Sequence, residues 1–242
     1  MSVDIQSLFS GFREELDNYH NQRERVIKAS RDVTASSKKV IFALQRIKDC
    51  DDSKSIETDE TVKTHLDEIK ERIESVREDI TGEKNQWRYA RQFSGSIEEY
   101  IEAISFRHYL LHRQIIPLKD VQETIPDVLV TPATYLLGLM DLTGELMRYA
   151  IAHLSDNKQD TRQPSKIALQ ILETLREFQS SAQVLGERDA EKVLGMKEWG
   201  KKVSTLNSSL MKVEQAIYSL LVRQMELSSI ENDRNTKRHK PN

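Results

Sequence analysis

The stretch from Thr131 to Leu154, TPATYLLGLMDLTGELMRYAIAHL, decides how the rest of the chain is read. Thr131 is a residue type that caps helices, and Pro132 follows at the first helical position, where its missing N–H is harmless. The next five turns are mostly apolar, so a helix here is expected to be buried around much of its circumference. Asp141 interrupts that run between Met140 and Leu142, and Glu145 stands one turn further on. A carboxylate among apolar neighbours loses hydration and needs a proton, a cation or a metal in exchange.

The composition extends the helical reading to the whole chain. Only 8 Gly and 5 Pro fall in 242 residues, and 31 % of the residues are charged. So few breakers among so many Glu, Lys, Arg, Leu and Gln favour long helices over sheets. A formal charge of −3 excludes a uniformly basic nucleic-acid binder while leaving room for a local basic face. The single cysteine, Cys50, excludes an intrachain disulfide framework and fits a reducing compartment. The start MSVDIQSLFSGF lacks the pattern of a secretory signal, and no segment is apolar enough to span a bilayer. A soluble, intracellular, all-α protein is expected.

Taken in order, the chain offers about seven helices. From Ile5 to Lys48 apolar residues step by three, four and seven, with Arg23, Arg25, Lys28, Arg31, Lys38, Lys39 and Arg46 on the polar side. The segment DCDDSKSIETDE reads as an acidic connection without calcium-loop spacing. A narrow stripe then runs from Asp59 to Ile80, with Gly82 as its end signal. Asn85 to Gln114 is helical with a weak point at Ser94-Gly95-Ser96. Either the helix restarts there through a capping box of Ser96 and Glu99, or it runs through with a small-residue surface for another helix. A short helix is expected from Lys119 to Thr124. Pro164-Ser165 opens the next, which reaches about Leu185, and a last one runs from Val193 to Leu227. Residues 1–228 then form one extended helical domain, and 229–242 a disordered polar tail with the basic cluster KRHK.

Two carboxylate pairs carry the chemistry. Glu99 and Glu102 are three apart, Asp141 and Glu145 four apart, and each spacing places the pair on one helical face. If the two helices pack face to face, four carboxylates converge, and their repulsion raises their pKa values unless cations neutralise them. An all-oxygen set suits Mg²⁺ or Mn²⁺. The competing reading for Glu99 and Glu102 is a solvated face, and for Asp141 an ion pair with Arg148. Glu98 is expected on the surface. His108 and His112 read as a polar face, since no HExxH or Gly-rich phosphate loop is present. Trp87, Arg88, Tyr89 and Arg91 alternate aromatic and basic groups as single-strand contacts do, although Trp87 and Tyr89 also suit the core.

The segments FREELDNYHNQRERVIKASRDVTASSKKVIFALQRI, SIEEYIEAISFRHYL, VTPATYLLGLMDLTGELMR and LMKVEQAIYSLLVR, between Phe12 and Arg223, closely resemble the translin family. The likeness is to its translin-associated factor X branch, the partner of translin, rather than to translin itself. It implies a seven-helix bundle in a hetero-oligomer with translin that binds single-stranded or structured RNA, and by extension single-stranded DNA. It also implies a Mg²⁺-dependent endoribonuclease acting on small RNA or tRNA fragments, with the catalytic and metal-binding acids at Glu99, Glu102, Asp141 and Glu145. A non-catalytic nucleic-acid-binding or scaffold subunit is the alternative. Two departures stand out: the family's basic N-terminal segment is missing, and residues 178–202 match poorly. Cytoplasmic and nuclear placement is expected.

Overall fold

The computed structural model describes residues 5–47, 53–155 and 163–238. Among these, ten helices and no strand are present. The seven expected helices are all there: α1 (Ile5–Gln45), α3 (Glu60–Ser75), α5 (Glu83–His112), α6 (Leu118–Thr124), α7 (Pro132–Ala152), α8 (Lys166–Leu185) and α10 (Trp199–Arg238). Three short ones are added: α2 (Ser53–Thr58), α4 (Arg77–Ile80) and α9 (Glu187–Lys192). Short helices carry too few periodic residues to register as a pattern. The helix α2 forms inside the supposed acidic connection because Ile56 is fully buried and anchors it. Cys50 and the end of the KRHK cluster lie outside the described residues.

The chain divides into two compact units, one comprising Met1–Leu44 with Lys54–Leu139, the other Gln45–Ser53 with Met140–Asn242. In the first, α1 buries Val26, Val33, Val40 and Leu44. Polar ties hold it to its neighbours: Ser36 donates to Glu68 on α3 at 2.9 Å, and Arg25 grips Asp79 on α4 through two bonds of 2.8 and 2.6 Å. Asp79 is buried, so this bidentate pair compensates a carboxylate that burial would otherwise penalise. The α3 helix starts at Asp59, whose side chain accepts from the Val62 N–H, a cap that contributes about 1 kcal/mol.

The weak point in α5 does not break it. Ser96 turns its hydroxyl back to the Phe93 carbonyl at 2.7 Å and forms no capping box, and the helix runs on to His112. Nor does Gly95 receive a neighbour, since a Cβ there would meet nothing within 4 Å. The close approach is made by Gly138 on α7. A Cβ at Gly138 would lie 2.8 Å from both the Glu98 carbonyl oxygen and the Ile101 Cβ of α5. The start of α7 is fixed locally as well. Thr131 accepts from the Thr134 N–H at 3.1 Å, the Tyr135 hydroxyl donates to the Ile116 carbonyl, and Gln122 bonds three backbone groups between Ile125 and Val130.

In the second unit α10 packs on α8, burying Ile171 and Leu175 with Leu206, Leu210 and Val213. Ser165 caps α8 by accepting from the Ala168 N–H. Gly186 ends it at φ 68°, a left-handed conformation that favours glycine. The last helix begins at Trp199 rather than Val193, because Gly195, at φ 71°, turns the chain first. Its backbone remains helical to Arg238, past residue 229 where the polar tail was expected to begin.

Candidate functional site: paired carboxylates on two helices

Each carboxylate pair shares a helix, as the spacing requires. On α5, Glu102 is buried, in the company of Ile101, Ala103 and Phe106. Glu99 is more open and meets Lys38 of α1 at 3.2 Å. That lysine belongs to the basic side of the first helix, so at least one of those charges has a specific partner. Glu98 is half-buried rather than fully exposed, because its turn of α5 receives Gly138.

On α7, Glu145 is 7 % exposed, and the second unit builds a cradle around it. The Gln45 amide donates at 2.9 Å to both the Glu145 carboxylate and the Glu145 backbone carbonyl. Arg148 pairs with the carboxylate from one turn along. One and two turns beyond Glu145, the Tyr149 hydroxyl and the His153 imidazole both reach the Ile47 carbonyl at 3.1 Å. The two rings stack with centroids 4.0 Å apart. The end of α1 is thereby tied to α7 over two turns, which orients the Gln45 amide toward Glu145.

Asp141 has a different partner from the one expected. Arg148 serves Glu145, and Asp141 instead bonds Lys202 Nζ of α10 at 2.5 Å. The Lys202 side chain is only 16 % exposed against 39 % for Asp141, so this contact lies partly out of water and is stronger than an open surface pair. Sequence reasoning missed Lys202 and Gln45. The available signal was positional: Lys202 falls three residues after Trp199 and four before Leu206, both buried, and Gln45 follows Ile41 by four. A polar residue at an apolar helical spacing is a candidate to meet a buried opposite charge.

Each pair by itself offers only carboxylate oxygens, without sulfur or imidazole, and such donors suit Mg²⁺ or Mn²⁺. As the chain stands, though, Lys38, Lys202 and Arg148 neutralise Glu99, Asp141 and Glu145. Among the described residues, no three or more His, Cys, Asp or Glu side chains are gathered to hold an ion. The protein therefore presents charge-compensated acids, and an incoming ion must displace ammonium or guanidinium groups.

The remaining candidates divide. Tyr89 is buried and donates to Gln22 at 3.1 Å, whereas Trp87 is 63 % exposed. Arg88 lies over the Tyr19 ring at 4.4 Å, and Arg91 is exposed. Trp87 and Leu129 border an apolar pocket lined also by Ala90, Phe93 and Ile97. His108 and His112 stand with ring centroids 4.5 Å apart; burial, and next the neighbouring His112, lower the His108 pKa. No helix among the described residues is long and apolar enough to cross a membrane.

These features define a class: an all-α protein with one acid pair on each of two long helices and a basic side on its first. The profile of the Translin family matches residues 21–224, and the chain belongs to that family. It is 32 % identical to translin-associated protein X of Pongo abelii, over 93 % of this chain and 81 % of that protein. The Mus musculus protein of the same name is also 32 % identical, over 94 % and 82 %. The Schizosaccharomyces pombe homologue is 26 % identical, over 90 % and 89 %. The fold is similar to apo-NeC3PO, with a TM-score of 0.66 at 16 % identity over 91 % of this chain and all of that one. It is likewise similar to AfC3PO in complex with duplex RNA, with a TM-score of 0.61 at 19 % identity over 90 % and 98 %.

Proposed function

We propose that this chain is the catalytic subunit of a hetero-oligomer with translin, an endoribonuclease that hydrolyses RNA phosphodiester bonds with Mg²⁺. The observation that carries this reading is the burial of Glu102 and Glu145 on two separate helices of a translin-family chain, each beside a second acid on the same face. Evolutionary kinship to translin-associated protein X supports the partner, and the duplex RNA held by the structurally similar AfC3PO supports the substrate class. Glu99, Glu102, Asp141 and Glu145 would hold the ion, or Mn²⁺ in its place. When bound, it supplies charge stabilisation and water activation at a phosphoryl centre. Gln45 and Arg148 fix the Glu145 carboxylate in one orientation, while Lys202 and Lys38 keep Asp141 and Glu99 neutralised until the ion arrives. Arg88 and Arg91 beside the open Trp87 supply cation and ring for a nucleic-acid strand.

One observation favours a second reading, a non-catalytic RNA- or single-stranded-DNA-binding subunit. Three of the four acids are paired with cations of the chain itself, which is what a structural role requires. One experiment separates the two. The chain is co-purified with its cognate translin and incubated with single-stranded RNA in Mg²⁺ or EDTA, alongside Asp141→Asn and Glu102→Gln. The catalytic reading expects Mg²⁺-dependent cuts with 5′-phosphate ends, abolished in both variants with RNA retention unchanged. RNA retention without Mg²⁺-dependent cutting, or equal cutting by the variants, refutes it.

A further inference from the structure

His108 and His112 stand four residues apart near the end of α5, and no other two histidines of the chain have that spacing. Residues four apart lie on one helical face, and a histidine pair so spaced is the chelating unit of helical zinc sites. Other histidines are already engaged. His65 Nδ1 bonds Glu68, and the two ring nitrogens of His153 meet the Tyr149 and Ile47 carbonyls. Among the described residues, neither His108 nor His112 has a hydrogen bond or an ion pair. His20, exposed on α1, has no histidine within a turn of it.

By sequence the pair reads as a polar face, and the structure adds a distance. The ring centroids are 4.5 Å apart and the planes are inclined at 52°. Two imidazoles that hold one ion through Zn–N bonds of about 2.0–2.1 Å have ring centres about 4.5–5 Å apart. The rings therefore need rotation rather than displacement to aim one nitrogen each at a shared point. His112 is exposed and His108 half-buried, which gives an ion a path from water and one sheltered ligand. The surroundings suit a cation. The pair occupies the last two turns of a 30-residue helix, whose unsatisfied carbonyls amount to about half a negative charge. Arg113 answers part of that charge by donating to the Leu110 carbonyl at 2.6 Å. Two further charges act on His108: the Asp120 carboxylate of α6 favours a cation there, and Arg107 opposes it.

We propose that His108 and His112 chelate one divalent transition-metal ion, with Zn²⁺ as the type, at the C-terminal end of α5. Two imidazoles supply two coordination positions and water fills the rest, because no third ligand-type side chain is gathered with them among the described residues. Imidazole suits Zn²⁺, Cu²⁺ and Ni²⁺, whereas Mg²⁺ takes oxygen donors, so this site differs in kind from the acids of the same helix. It is separate in place as well. His108 lies six residues beyond Glu102, about 9 Å along the axis and about a third of a turn around it. The proposal therefore stands independently of whether those acids hold Mg²⁺.

The test is calorimetric titration of the full chain with ZnCl₂ in excess Mg²⁺, alongside His108→Gln, His112→Gln and His20→Gln, and electron paramagnetic resonance with one equivalent of Cu²⁺. Excess Mg²⁺ occupies carboxylates that would otherwise take up Zn²⁺. Unchanged far-UV circular dichroism confirms folding, and His112→Gln, at an exposed position, carries the test if His108→Gln does not fold. Wild type and His20→Gln are expected to bind one Zn²⁺ with the same affinity, and the other two variants at least tenfold more weakly. The Cu²⁺ spectrum is expected to show two nitrogen ligands in wild type and one in His112→Gln. Unchanged Zn²⁺ affinity in His112→Gln, or no saturable uptake by wild type, overturns the site. A loss in His20→Gln as large as in His112→Gln also overturns it, since the ion is then an adventitious ion only.

Discussion

Replacing Gly138 by alanine tests the contact that sets the start of α7 on α5. In an open helical position, glycine to alanine stabilises by about 0.8–1.0 kcal/mol, because the unfolded chain loses freedom and the helix gains a better former. At Gly138 the added Cβ would sit 2.8 Å from the Glu98 carbonyl oxygen, 2.8 Å from the Ile101 Cβ and 2.9 Å from its Cγ2. Those are backbone and β-branch atoms, which cannot swing aside as the end of a lysine can. Accommodating the methyl therefore requires the two helices to separate by several tenths of an ångström, an overpacking cost of about 1–3 kcal/mol. The net expectation is a loss of about 1 kcal/mol. Gly95 and Gly144 serve as controls, since a Cβ at either meets nothing within 4 Å, and each is expected to gain up to about 1 kcal/mol. Urea unfolding of the three variants should therefore separate Gly138→Ala from the controls by about 2 kcal/mol, or about 4–8 °C in thermal midpoint for a chain of this size. If Gly138→Ala stabilises as much as Gly144→Ala, the close approach of α7 to α5 is wrong.

Two further outcomes follow from the charges. Lys202→Met removes the partner of Asp141 and should cost up to about 1 kcal/mol in the absence of metal. If Lys202 competes with the ion, Mg²⁺ should raise the thermal midpoint of Lys202→Met more than that of wild type; equal shifts refute the competition. The Glu68 pKa is lowered by its bond from His65, and then by that from Ser36. Its folded pKa thus lies below the unfolded one, so its contribution is present above the unfolded value and is lost as pH falls through the folded value. Urea midpoints measured from neutral pH downward should show Glu68→Gln less stable than wild type near neutrality, with the gap closing in acid. A gap that widens toward low pH contradicts the sign.

Much of the architecture was legible because helical burial is written as a local period. The caps at Asp59, Thr131 and Ser165 sit where sequence placed helix starts, since a cap needs only its own residue and the next turn. What was not local was misread. Ser96 resembled a cap but bonds backward to Phe93, because Ile97, Tyr100 and Ile101 beside it are buried and keep the helix continuous. Gly95 resembled the helix-crossing point, yet it is Gly138 that meets a neighbour; any helical glycine offers the space, and only packing decides which is filled.

The candidate site divides along the same line. Sequence alone determined that Asp141 and Glu145 share one face of a buried helix, that Glu99 and Glu102 share another, and, by resemblance, which family they belong to. Tertiary structure decided who answers their charge. Arg148 was close enough in sequence to be proposed, but it took Glu145, and Asp141 went to Lys202, sixty-one residues away. A carboxylate pairs with whichever cation the packing delivers within hydrogen-bond reach, and that distance is set by how α7 and α10 meet rather than by any spacing along the chain.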